Sequence, residues 1–201
     1  QAAGTRENFG TMAKSFQAGQ CGTAAVRAAQ LAKAGYDAAA TSLDGPFGFM
    51  ALYAENEALA PELAKLGQAP LEIDAMGIDV KKYPCCYATH RGLDAILGLR
   101  KEHGLTLDDV ASVDMLTSAG GLEALICPRP KTGLEGKFSM EYTMAAALAD
   151  GAIRLASFDD GEIQRPAIQA YFDKVKTVEA PGPKLPRWSH VTLNLKDGRK
   201  L

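Results

Sequence analysis

The stretch from 17 to 35 most limits what this chain can fold into. Cys21, Ala24, Ala25, Ala28, Leu31 and Ala32 recur at three- and four-residue spacing, so a helix here carries them all on one face. Side chains this small let neighbouring helices approach closely, and the expectation is a helix packed deeply among others. Gly35 stands where such a helix ends in the left-handed conformation. A second helix is predicted over 47 to 66, with Phe49, Leu52, Tyr53, Leu59 and Leu63 on a shared face and Pro61 breaking it in two. The first third therefore reads as all-helical.

Around Gly67 to Pro70 the composition turns to that of a loop, and beyond it strand and helix patterns mix. Ile78 to Val80 reads as a short extended segment leading into Tyr83-Pro84, where the residue before proline is pushed out of the helical region. A helix is predicted from His90 to His103, with Thr89 as its N-cap, Leu93, Ile96 and Leu97 on its apolar face and Gly104 as its stop. A strand follows near Val110 to Thr117, then a loop bracketed by Gly120-Gly121 and Pro128-Arg129-Pro130. Ser139 is placed to cap a helix that runs through Ala149 and ends at Gly151. The tail adds a helix near 166 to 173 and strands near 175 to 178 and 191 to 195. The expected fold class is α+β, with a helical segment over 1–69 and a mixed unit over 70–201. Asp197-Gly198 signals a hairpin turn with no return strand after it, and the chain opens on Gln1, so the expectation is a fragment of something longer.

Composition removes several function classes. The 201 residues carry a formal charge of only -2, basic residues form no long runs, and the seven Phe, six Tyr and one Trp are scattered. Neither a phosphate-tracking groove nor a base-stacking platform is legible, so no nucleic-acid partner is expected. Cys21, Cys85, Cys86 and Cys127 make no disulfide framework and fit no zinc ribbon, which points to a reducing cytoplasm and to no metal. No apolar run reaches the roughly 18 to 20 residues of a membrane span, and no secretory leader is visible. No glycine-rich phosphate loop is present, so no organic cofactor is implied.

Three stretches, in order, resemble segments of one family. The first is Asn8-Phe-Gly-Thr-Met-Ala-Lys-Ser-Phe-Gln-Ala-Gly19, ahead of the Ala-rich helix. The second is Lys81-Lys-Tyr-Pro-Cys-Cys-Tyr-Ala-Thr-His90 with Leu93-Asp-Ala95. The third is Thr132-Gly-Leu-Glu-Gly-Lys-Phe-Ser-Met-Glu-Tyr142, running into the alanines that precede Gly151. Together they resemble the MmgE/PrpD family of 2-methylcitrate dehydratases and cis-aconitate decarboxylases. The resemblance implies a large all-helical domain interrupted by a smaller α+β lid, with residues 1–69 in the former and 70–201 in the latter. It further implies a cofactor-independent lyase, binding a small polycarboxylate between the two and working as a homodimer. An epimerase of a related diacid, a non-catalytic binder and an assembly paralogue are the alternatives.

The resemblance singles out candidate residues. Lys14, in the Gly-Thr-Met-x-Lys turn, is a carboxylate anchor, the alternative being a solvated surface charge. Lys81 and Lys82 alternate, so at most one faces the site, and motif position favours Lys81; both could instead be solvated charges on an edge strand. His90, in the first turn of its helix, would be kept neutral by the helix dipole and act as general base, or would orient the turn through local hydrogen bonds. Cys86 would shape the pocket or share in proton transfer, against the commoner fate of Cys85 and Cys86 as inert buried thiols. Tyr142 would point into the cleft or pack within the lid, and Arg129 and Lys131 are further carboxylate contacts. Gln17 stands where many family members have histidine, replacing an acid or base by a neutral amide. His103 and His190 match no motif and read as structural.

Overall fold

The computed structural model describes residues 4–54 and 64–201. The fold is α+β, and the chain divides into two compact units, one formed by residues 20–80 and the other by the first 19 residues together with 81–201. The expected boundary at 69/70 thus differs from this division, in which the Gly10–Lys14 segment goes with the later residues.

In the larger unit, secondary structure follows local chemistry closely. Thr11 opens helix α1 (Met12–Lys33), its hydroxyl accepting the Ala13 N–H at 3.2 Å. The helix therefore starts five residues before the alanine pattern does, and Lys14 lies in its first turn rather than in a preceding loop. Further along the chain come α2 (Phe49–Tyr53) and α3 (Glu72–Ala75) of the smaller unit, then α4 (His90–His103) and strand β1 (Val110–Thr117). Short helices α5 (Gly133–Gly136), α7 (Asp160–Ile163) and α8 (Pro166–Gln169) surround α6 (Met140–Asp150), and strands β2 (Val175–Glu179) and β3 (Ser189–Leu195) complete the unit.

The sheet order is β2-β1-β3, with β2 parallel and β3 antiparallel to the central strand. Val113 lies opposite both Val175 and Leu193, so one apolar row crosses all three strands. A bulge between Val110 and Ser112 resets the alternation and turns Val110, Val113 and Met115 to the same buried face. Helices α4 and α6 cover that face. Leu93 and Ile96 of α4 are fully enclosed, and α6 is buried from Met140 through Leu148 apart from Glu141, as expected of a helix apolar on every side. The tail after β3 turns at Asp197-Gly198 and returns for a short distance, Leu193 and Leu201 exchanging backbone hydrogen bonds at 2.9 and 3.0 Å. The hairpin signal was thus sound, and its return is a single bridge.

Two local expectations need correction. Thr89 does not cap α4 through its side chain; it sits in a tight turn over Tyr87–Thr89 and its hydroxyl donates instead to the Cys86 carbonyl at 2.8 Å. Ile78–Val80 forms no strand, because no other segment offers it a ladder among the described residues, and Val80 is 91% exposed. Lys81 and Lys82 therefore sit on no edge strand.

In the smaller unit, α1 continues to Lys33 and Gly35 takes the expected left-handed conformation at φ +86°. None of the residues of α1 is buried, so the expected deep packing is absent among the described residues. Alanine offers each neighbour little area to bury, and no described element covers the face. Of the predicted 47–66 helix only α2 is observed, ending where Ala54 turns extended; Leu59, Pro61 and Leu63 lie outside the described residues. No helix among the described residues is long and apolar enough to cross a membrane.

Candidate functional site

Gly10 fixes the start of the site. It holds φ +83°, and a Cβ there would lie 3.1 Å from Cys127 Sγ and 3.2 Å from Glu135 Cα, so only glycine lets the Phe9–Thr11 turn press against the α5 segment. That close approach stacks the rings of Phe9 and Phe138 at 4.6 Å and carries the first turn of α1 over them. The Lys14 ammonium then rests 5.7 Å from the Phe9 ring centroid and 5.9 Å from that of Phe138, a distance at which aromatic faces attract cations.

Facing this turn is the Lys81–Tyr87 loop. Cys86 N–H donates to the Lys137 carbonyl at 2.8 Å, which ties the loop to the segment joining α5 and α6. The Lys81 ammonium donates to the Cys85 carbonyl at 3.0 Å and so is folded back over the loop. Lys82 goes the other way, pairing with Asp94 at 2.5 Å. Burial alone would raise the Asp94 carboxyl, but hydrogen bonds from Lys82 and Tyr83 hold it below its ordinary value.

These pieces enclose a cavity of about 490 Å³, lined by Lys14, Lys81 and Lys137 together with Thr11, Ser15, Cys86 and an apolar wall that includes Phe9, Pro84, Leu134 and Phe138. Three lysines line this cavity and no aspartate or glutamate does, the Lys137 ammonium lying 5.8 Å from the Phe158 ring centroid. None of the three has a carboxylate within salt-bridge distance among the described residues. The arrangement is suited to an anion with more than one carboxylate. Lys137 was not singled out from sequence, although it lies within the third of the quoted stretches.

Other sequence candidates lie apart from the cavity lining, Lys131 among them. His90 is 6% exposed and wedged between Tyr83 and Tyr87, whose ring centroids are 5.2 and 5.1 Å away. Burial lowers its pKa, backbone hydrogen bonding to Cys85 and Tyr83 opposes, and the Lys81 charge lowers it further, so the neutrality expected from the helix dipole has burial as its leading cause. Its Nε2 is buried with no hydrogen-bond partner among the described residues. Tyr142 is fully buried, its hydroxyl donating to the Ser157 carbonyl and its ring against Phe158, and burial pushes its phenol far up. Gln17 turns its amide toward Gly4, where a Cβ would meet it. Arg129 pairs with Asp173 on the surface. Cys85 lines the cavity, but its thiol is buried, bonded to Thr89 at 3.1 Å, and pushed up to about 11 by desolvation.

Comparison with known proteins bears on this unit directly. The model of the MmgE/PrpD C-terminal domain matches residues 83–201. The chain is 28% identical over 200 residues to human cis-aconitate decarboxylase, and 28% identical over 206 residues to the mouse protein of the same name. Each match covers 95% of this chain and 40% of the relative, so the chain spans well under half the length of the curated relatives it matches. A family match over more than half of the residues, on the unit that carries Lys81, Cys86 and Lys137, shows that the chain belongs to the MmgE/PrpD family.

Proposed function

We propose that the intact protein is a lyase acting on a small polycarboxylate without an organic cofactor, and that Lys14, Lys81 and Lys137 bind the substrate's carboxylates. The observation that carries this reading is that three lysines and no acid line one cavity. Apolar walls lower the local dielectric, so each charge pair formed there is stronger than in water.

The difficulty of the reaction is electronic. Breaking a C–H bond next to a carboxylate, or releasing carbon dioxide from it, leaves the bonding electron pair on carbon, from which it spreads into the neighbouring carboxylate or double bond. Ammonium groups brought to those oxygens stabilise the developing charge more than they stabilise the ground state. Cys86, on the same wall, is the group we assign to carry the proton that is removed or returned. His90 then acts through the loop: wedged between Tyr83 and Tyr87, it holds the backbone that presents Lys81 and Cys86.

Decarboxylation is the outcome we place first, supported by the name of the two relatives. Dehydration of 2-methylcitrate and epimerisation of a related diacid would pass through the same kind of carbanion. The test is a panel assay of the intact gene product on cis-aconitate, citrate and 2-methylcitrate, with products separated by chromatography. Lys14→Ala and Lys137→Ala are each expected to lower kcat/KM by on the order of 10²–10³. A folded wild-type protein with no turnover on the panel would replace the lyase reading by that of a binder.

A further inference from the structure

A second recess adjoins the lysine cavity. It encloses about 330 Å³, shares Cys86, Tyr87 and Ala124 with the first, and is lined by Arg6, Arg91 and Arg187 with Glu123 as its one acid. The Glu123 carboxylate is already spent: it accepts from Lys184 at 2.5 Å and pairs with Arg6 at 3.4 Å, contacts that hold it below its ordinary value. Arg91 and Arg187, by contrast, have no carboxylate within 4.0 Å among the described residues. The Arg91 guanidinium lies 5.2 Å from the Tyr87 ring centroid, and Arg187 reaches only the Ala119 carbonyl, at 3.5 Å.

The floor of this recess is held rigidly. Glu179 accepts the Gly120 and Leu122 N–H groups at 2.9 and 2.6 Å, and Ser118 N–H donates to the Trp188 carbonyl at 3.2 Å. A Cβ at Gly121 would stand 2.3 Å from Thr117 Oγ1, so glycine is required for the loop to lie this close to β1. Two arginines without a carboxylate partner among the described residues line this recess, one of them in the first turn of α4 where the helix dipole also favours negative charge, and the combination is suited to an anion.

We propose that this recess is a second anion-binding site, taking a small carboxylate or phosphate through Arg91 and Arg187, apart from the lysine cavity. The planar guanidinium offers paired N–H donors that match the two oxygens of either group. The proposal does not depend on turnover at the lysine cavity.

Titration calorimetry of the intact gene product with citrate, and separately with inorganic phosphate, tests it at low ionic strength. Two classes of citrate site are expected in the wild type. Arg91→Gln and Arg187→Gln should each weaken, by on the order of tenfold, the class that Lys14→Gln leaves unchanged. Phosphate competing for that class supports a general oxyanion site, and citrate binding without phosphate competition supports one restricted to carboxylates. A single citrate class in the wild type, or an unchanged isotherm in Arg91→Gln, overturns the proposal whatever Lys14→Gln does. Should Arg187→Gln loosen the Ala119 loop and fail to fold, Arg91→Gln decides, because among the described residues the Arg91 side chain makes no hydrogen bond or ion pair and rests against the Tyr87 ring.

Discussion

The unit containing 81–201 and the unit of 20–80 treat similar side chains in opposite ways. In the first, Leu93 and Ile96 of α4, Met115 of β1 and Met140, Met144 and Leu148 of α6 share one core and are almost fully enclosed. In the second, Leu31, Leu52, Ile73 and Ile78 all stand exposed, and Phe47 is 91% exposed. The difference lies in what sits opposite. A β-strand between two neighbours, under two helices, gives each apolar side chain several others to touch, whereas an alanine-rich helix face has almost nothing to bury against itself. Periodicity identifies a face, and only a partner turns the face into a core.

The comparison breaks or stands most clearly on a matched pair of truncations. Leu148→Ala in α6 removes a fully buried side chain and should cost about 2–5 kcal/mol, measured by chemical denaturation of the 201-residue chain. Leu31→Ala in α1, at a residue 43% exposed, should change stability by less than about 0.5 kcal/mol in that chain. Repeating Leu31→Ala in the intact gene product sharpens the contrast. A large loss there and none in the 201-residue chain would mean that further residues cover α1, as the small-residue face anticipates.

A smaller effect is expected from Tyr142→Phe. The hydroxyl is buried and donates to the Ser157 carbonyl, so its loss leaves that acceptor without its partner and should cost about 1–3 kcal/mol. Turnover per folded molecule should be unchanged if Tyr142 serves only the core. A fall in kcat with stability preserved would restore it to the chemistry.

Legibility followed the range of the forces involved. The ends of α4 at His90 and His103, the stop at Gly104 and the Ser139 cap, which accepts the Tyr142 N–H at 3.0 Å, are decided by residues within a turn of each other and were readable. The start of α1 was missed because one threonine hydroxyl, not an apolar pattern, begins it. Thr89 has the same chemistry as a cap yet spends its hydroxyl on Cys86, a choice set by the turn before α4. Within the cavity, motif position pointed to Lys14, Lys81 and Cys86, which the fold brings onto one wall. Lys137 was hidden because the cavity it lines is completed by Phe9, Thr11 and Lys14, more than a hundred residues away in the chain, which no local pattern names. Tyr142 could be assigned to the first turn of its helix, but the inward direction of its ring follows from Phe158 and Ser157, which no local pattern names.

The smallest expected effect concerns pH and separates the two roles open to His90. Its folded pKa is below the ordinary 6.5, burial being the first cause. Above that ordinary value the ring is neutral in both folded and unfolded chains and contributes no pH dependence. As pH falls through it, the unfolded chain takes up a proton that the folded one resists, so stability declines until the lower folded pKa is reached. Asp94, also lowered, adds a loss in the same direction, but only once pH approaches its own ordinary value of 3.8, so its loss begins at a lower pH than that of His90. His90→Gln should therefore flatten the stability profile just below neutral pH while leaving the more acidic limb in place. If the ring positions the Lys81–Cys86 loop, the same variant should raise KM with little change in the pH at which kcat declines. If it is the base, that decline should disappear along with most of kcat.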